Sequence, residues 1–229
     1  NSIGMEIIIT DHHNPKDELP PAFAIINPKL PETKYPYEHL AGVGVAYKLL
    51  MAIYNNLGID SAENKLKYMD LVAVGTIADI VPLTSENRIF ASIGLQHLIE
   101  KKNLGLNALV QISGLNQKNL DTTDIVFGIA PRINAAGRMG SASVSVELLI
   151  STDEAKSMEL AEIIEHQNSL RQQEDQKTFQ EACDIIEKKY KDLQQTSCMV
   201  VSSDDWHPGV IGIVASKLVE KYYRPVIMI

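Results

Sequence analysis

Apolar and polar positions divide the chain into short extended pieces near its two ends and helical stretches between them. Met5, Ile7, Ile8 and Ile9 form a brief β-branched run, which predicts a strand buried on both faces of a parallel sheet. The run stops at Thr10-Asp11-His12-His13-Asn14, and Pro15 forbids simple continuation as ladder or helix. Pro20, Pro21, Pro28, Pro31 and Pro36 hold residues 16–37 to extended and turn structure, with a short strand predicted over Ala22–Ile26. Leu40, Val43, Tyr47, Leu50 and Tyr54 recur at three- and four-residue spacing and predict a helix from Glu38 to Leu57, closed by Gly58. A second helix from Ser61 leads into the apolar, small-residue segment 71–78, which delivers Asp79 shortly before Pro82. Arg88 through Ile99 reads as an amphipathic helix.

The second half is patterned differently. No glycine lies between Gly140 and Gly209 and no proline between Pro131 and Pro208. Ser151-Thr152-Asp153-Glu154 has the S-x-x-E form of a capping box. From there a helix of some forty residues, about 60 Å at 1.5 Å per residue, is predicted to about Tyr190. Its apolar residues cluster at the ends, at Leu160 and Ile164 and again at Phe179, Ala182, Ile185 and Ile186. The centre, Glu165 to Lys177, is polar apart from Leu170, which predicts a helix crossing solvent between two domains. A strand over Ser197–Ser202, a helix to about Tyr223 and a strand over Pro225–Ile229 form a βαβ unit. The expected architecture is α/β: a parallel-sheet domain over 1–150, a connecting helix over 151–192 and the start of a second α/β domain over 193–229. Buried-type strands near both ends suggest a fragment of a longer polypeptide, because domain boundaries fall in exposed polar linkers.

Composition narrows the class only mildly. The 229 residues are 45% hydrophobic, as expected of a soluble globular protein, and no run approaches the roughly 18 apolar residues of a membrane span. Cys183 and Cys198 are too few for a disulfide framework and read as small core residues of a reduced, cytoplasmic protein. The net charge of −8 argues against a general polyanion binder but leaves room for a local basic patch.

The candidate chemistry begins where the first strand ends. Asp11, His12 and His13 fall in the crevice beyond a strand's carboxyl end, where open α/β sheets place ligands, and three such side chains are costly to bury without a task. Asp79 arrives in the same way, after a buried run and before a proline, although a lone Asp there could equally cap the next helix or pair with Arg88. Arg132, Asn134 and Arg138 are separated by small residues, and arginine forks suit phosphate oxygens; a Gly-containing turn with two surface arginines explains the spacing equally well. Gly209 and Gly212 open the last helix, where free N–H groups suit an anion, and Trp206 and His207 add a stacking face and a polar group. His39 reads as a capping or surface residue, His97 as structural and His166 as exposed.

Four ordered segments then resemble one family. Asp11-His12-His13, GTIADIVPL with Asp79, PRINAAGRMG, and DDWHPGVIGIVASKLVEKYYRPVIMI together resemble the RecJ family of the DHH phosphoesterase superfamily, from residue 5 to residue 229. The resemblance implies a 5′→3′ exonuclease specific for single-stranded DNA, acting in repair and recombination, with two Mn²⁺ or Mg²⁺ ions. It implies that His12 and Asp79 are metal ligands, that His13 faces the scissile phosphate and protonates the leaving oxygen, and that Asp11 stands at the metal's edge. It places Arg132, Asn134 and Arg138 on a phosphate, and Trp206, His207, Gly209 and Gly212 at the opening of a strand-holding second domain, DHHA1. Its implied partners are single-stranded DNA, a single-strand-binding protein and a helicase, with no membrane.

The chain departs from the family pattern in one respect. The family's site also draws on aspartates from two motifs that precede Asp-His-His, and neither is present in these 229 residues. Two strong ligands cannot hold two metals, so this stretch alone is expected to bind metal weakly and to have little nuclease activity. Two rival readings are a DHH phosphoesterase acting on short oligonucleotides or small phosphates, and an inert scaffold with a decayed site. A nucleotide-binding domain without chemistry accounts for neither the His pair nor Asp79.

Overall fold

The computed structural model describes residues 4–193 and 195–229. It folds as an α/β chain, mostly helical, with two separate two-stranded parallel sheets. Two compact units emerge. The first comprises the chain up to Ala130 together with Ser151–Glu154; the second comprises Pro131–Ile150 and Ala155–Ile229. Residues 131–150, expected to close the first domain, therefore group with the long helix.

In the first unit β1 (Ile8–Thr10) pairs in parallel with β2 (Ala24–Ile26), Ile9 lying opposite Ile25. The connection is the proline-broken loop 11–23, long enough for the crossover that parallel strands require. Burial of β1 on both faces is not observed: Ile7 and Ile8 are about half exposed, because β2 is its only neighbour among the described residues. Helices α1 (Gly42–Asn56), α2 (Ala62–Leu66) and α4 (Ser85–Ile99) follow as predicted, and the apolar segment between the last two, to which the pattern assigns no element, is a further helix, α3 (Met69–Ala78). Gly58, at φ +69°, turns the chain just past α1. The Ser61 side chain caps α2 by accepting from the Asn64 N–H. The mostly apolar segment before Asp79 is α3, buried nearly all round, Asp70 and Thr76 included. Then come α5 (Leu104–Ile112), capped by Asn103, and the short α6 (Thr122–Asp124), held by an Asp121–Asp124 capping box. A wide π turn over Ile125–Ile129 follows, in which the Ala130 N–H reaches back five residues to the Ile125 carbonyl. It falls where Pro131 removes a donor and would crowd the Phe127 carbonyl in a regular helix. Leu40, Val45, Met69, Val72 and Phe90 form the core beneath β2 and α1.

Helices α3 and α4 meet where side chains are smallest. A Cβ added at Gly94 would lie 2.2 Å from both the Ala73 Cβ and the Met69 carbonyl oxygen. One added at Gly75 would lie 2.8 Å from Val43. These approaches fix α3, and with it Asp79 at its end.

The second unit holds α7 (Ala130–Met139), α8 (Ser143–Ile150), α9 (Glu154–Lys189), β3 (Met199–Val201), α10 (Pro208–Tyr222) and β4 (Val226–Met228). The βαβ unit forms as predicted, β3 and β4 pairing in parallel with Val200 opposite Ile227. Helix α9 has 36 residues, close to the predicted span, but it starts at Glu154 and the Ser151 hydroxyl instead accepts from the Asp153 N–H. Its centre does not stand in solvent. Asn168, Asp175 and Thr178 are buried and continue the stripe of Leu160, Ile164, Ala182 and Ile186. Asp175 accepts from Lys217 Nζ at 2.8 Å and lies 3.8 Å from Arg171 Nη1, while Arg171 Nη2 donates to Asn168 Oδ1. Asn168, Arg171, Asp175 and Lys217 thus pack by pairing with one another, which composition alone cannot distinguish from solvation. Cys183 is buried in the core with Met199, Trp206 and Leu218, whereas Cys198 is exposed, so only one cysteine is a core residue. Among the described residues no helix is long and apolar enough to cross a membrane.

The close crossing of α3 on α4 yields a direct test. Gly94→Ala is expected to lower the unfolding free energy by about 3 kcal/mol, because the added methyl meets backbone rather than a movable side-chain end. Urea denaturation reads the change, and a loss below about 1 kcal/mol would contradict so close a packing.

Candidate metal centre

Where β1 ends, the ladder continues one step further: the Asp11 N–H donates to the Ile26 carbonyl at 3.0 Å. The Asp11 carboxylate then folds back on the turn that follows. Its Oδ1 accepts from the His12 N–H at 2.7 Å, the His13 N–H at 3.2 Å and the His13 ring Nδ1 at 2.7 Å. The His13 ring, and after it the backbone N–H groups of His13 and His12, hold the Asp11 carboxyl down to about 2, against an upward push from burial. An ionised acceptor at Nδ1 leaves the other ring nitrogen of His13 outside that bond. His13 itself is exposed, and Asp11 half-exposed.

Two more residues complete the frame. Asn27, buried at the end of β2, donates from Nδ2 to the His13 carbonyl at 2.9 Å and accepts the Lys29 N–H on Oδ1. Asp79 is the C-cap of α3, its N–H bonded to the Gly75 carbonyl, and the chain reverses at Ile80 with φ +56°. That left-handed conformation is unusual for a β-branched residue. The reversal leaves Asp79 Oδ2 3.4 Å from His12 Nδ1. The His12 ring is largely covered, with the His13 ring centroid 4.2 Å away.

Asp11, His12 and His13 can each offer one ligand atom with all three lying within 4.8 Å of one another, and Asp79 adds a second carboxylate beside His12. Hard oxygens with imidazole suit Mn²⁺ well and exclude a thiolate-type site. A groove of about 1030 Å³ opens beside them, lined by Asp11, His13, Asn14, Lys16, Asn27 and Leu30.

The other candidates belong to the second unit. Arg132, Asn134 and Arg138 sit on α7, a helix rather than a turn. Arg132 is paired with Glu165 on α9, its Nη2 lying 3.3 Å from Oε1. Asn134 and Arg138, one turn apart, are exposed, and Arg138 Nη1 donates to the Gly209 carbonyl at 3.1 Å. His207 is the N-cap of α10 and accepts the Gly209 N–H on Nδ1 at 3.0 Å. Gly209 is needed for close approach, since a Cβ there would lie 2.7 Å from the Arg138 carbonyl; at Gly212 a Cβ would meet open space. Trp206 is the correction. It is 7% exposed in the core, with Nε1 donating to Glu181 at 3.0 Å, so its ring is not available for stacking. His39 and His166 are exposed and His97 is buried, as expected.

Asn27, which ties the turn to β2, is not among the candidates that the sequence marks, although a polar residue closing the second strand opposite the first strand's cluster is a usable signal.

The Asp11 contacts set an acid limit. A carboxyl held low in the fold contributes stability that is complete above its ordinary value near 3.8 and is lost as pH falls through about 2. Denaturant titrations between pH 5 and pH 2 are expected to show that loss in the unsubstituted chain and a flatter profile in Asp11→Asn. Parallel profiles would remove Asp11 as the turn's anchor.

Residues 1–76 match the DHH family, N-terminal domain. The chain is 44% identical over 227 residues to the single-stranded-DNA-specific exonuclease RecJ of Bacillus subtilis, covering 99% of this chain and 28% of that protein. The crystal structure of RecJ in complex with Mn²⁺ from Thermus thermophilus superposes with a TM-score of 0.81 at 34% identity, covering 100% of this chain and 33% of that one. A structure of RecJ from that organism with Mg²⁺ gives a TM-score of 0.79 at 33% identity, covering 99% and 33%. The chain thus spans about a third of these relatives. By sequence and by fold the chain is thus similar to the RecJ exonucleases along nearly its whole length, and its first third matches the DHH family, N-terminal domain.

Proposed function

We propose that this chain forms part of the catalytic region of a metal-dependent 5′→3′ exonuclease that hydrolyses single-stranded DNA to 5′-mononucleotides in repair and recombination. The observation that carries this reading is the meeting of Asp11, His12, His13 and Asp79 at the end of β1 and α3. The Bacillus relative is named a single-stranded-DNA-specific exonuclease, and the Thermus relative was crystallised with Mn²⁺ and with Mg²⁺.

His12 and Asp79 are the residues that would hold Mn²⁺ or Mg²⁺, with Asp11 at the edge and two ions in the complete enzyme. Such ions supply Lewis-acid polarisation of a phosphoryl oxygen and a more acidic water. Asp11 fixes the orientation of the His13 ring, and His13 delivers a proton to the leaving oxygen. Asn27 holds the His13 backbone, so that this ring is placed by two contacts of different origin. Residues 1–150 act as the DHH domain, 151–192 as the connecting helix and 193–229 as the start of DHHA1. In the second unit Asn134 and Arg138 are the exposed groups suited to backbone phosphates, with His207, Gly209 and Gly212 at the start of α10. Arg132 acts there through its pairing with Glu165. The enzyme works in the cytoplasm, with a single-strand-binding protein and a helicase beside it.

The test uses the natural full-length polypeptide with Mn²⁺ and 5′-labelled single-stranded DNA, beside duplex DNA and a dinucleotide. Stepwise release of 5′-mononucleotides is expected from the single strand, reduced at least about a hundredfold by His13→Ala and by Asp79→Ala. Cleavage of the dinucleotide alone would replace the proposal with a small-substrate phosphoesterase. No hydrolysis of any substrate would leave an inert scaffold.

A further inference from the structure

Glycine at the start of a helix needs a reason, because alanine is the better helix former. Gly42 is the first residue of α1, and its backbone is not among the left-handed glycines, which are Gly4, Gly58 and Gly114. Conformational freedom therefore does not account for it. The space around it does: a Cβ at Gly42 would lie 3.2 Å from His12 Cδ2 and 3.7 Å from His12 Nε2. The His12 ring has little freedom to retreat. It is 16% exposed, its Nδ1 faces Asp79 Oδ2 at 3.4 Å and the His13 ring lies 4.2 Å away. The backbone beneath it is tied by the His12 N–H to Asp11 Oδ1.

We infer that Gly42 is a positioning residue for the metal centre: its missing side chain is the seat of the His12 imidazole, and the start of α1 sets where that ring stands relative to Asp79. The inference rests on the reading of His12 as a ligand. Metal sites tolerate displacements of only about 0.2 Å in ligand distance. A methyl group that moves the ring by a few tenths of an ångström is therefore felt in metal affinity well before it is felt in the fold. Gly44, two residues on, provides the comparison. A Cβ there would make ordinary contacts with Leu40 and Phe90 at 3.4 and 3.6 Å, away from His12.

Mn²⁺ binding to the natural full-length polypeptide, followed by electron paramagnetic resonance of the free ion, tests this without recourse to activity. Gly42→Ala is expected to weaken Mn²⁺ binding about tenfold, within the range for residues that orient ligands, with the thermal midpoint held or raised. Gly44→Ala should bind as the unsubstituted protein does. Equal affinity in Gly42→Ala and the unsubstituted protein would overturn the inference and leave the metal reading intact. Absence of Mn²⁺ binding in the unsubstituted protein would instead overturn the metal reading, and the inference with it. A second measurement needs no variant: a strong nuclear Overhauser contact between the Gly42 Hα and His12 Hδ2 protons is expected, and its absence overturns the inference even if Gly42→Ala fails to fold.

Discussion

One oxygen atom organises the candidate site. Asp11 Oδ1 gathers two backbone N–H groups and the His13 ring, so a single ionised acceptor closes the turn, orients a histidine and lets the strand end abruptly. Charge-assisted bonds of this kind are roughly twice as strong as neutral ones, which suits a turn outside regular secondary structure. What it cannot do alone is fix the turn to the fold. That comes from Asn27, reaching across from β2 to the His13 carbonyl, and from the ladder bond of Asp11 to Ile26. The carboxylate shapes the loop and the second strand anchors it.

The other half of the site is fixed by absent atoms. Asp79 stands where it does because α3 is drawn close to α4 at Gly94 and to α1 at Gly75, and His12 stands where it does because Gly42 has no side chain. The approach of Gly94 to the Met69 carbonyl meets backbone and does not relax easily. One backbone outlier stands beside the site: Ile80 takes a left-handed conformation directly after Asp79, where a side chain must be aimed.

The second unit shows how polar residues can build a core. Along α9 the stripe of Leu160, Ile164, Ala182 and Ile186 continues through Asn168, Asp175 and Thr178, and Asp175 is met by Lys217 from α10. Trp206 likewise turns inward and gives its one donor to Glu181. Groups that look suited to solvent or ligand are consumed in holding helices together.

Local pattern and punctuation determined much of this protein. The strand stop at Asp-His-His, the apolar run ending on Asp79, the length of α9 and the terminal βαβ unit all follow from periodicity, proline and glycine, which act over a few residues. The identity of the four residues at the candidate centre was legible for the same reason, since each marks the end of an apolar run. Three things were decided only in three dimensions. Whether a polar helix centre is wet or paired depends on Lys217, some forty residues away in sequence. Whether Trp206 offers a face or fills a core depends on Glu181 and α10. Why residue 42 is glycine depends on His12, thirty residues earlier. Periodicity carries information along a chain, but pairing and close approach are properties of chain segments that meet across it.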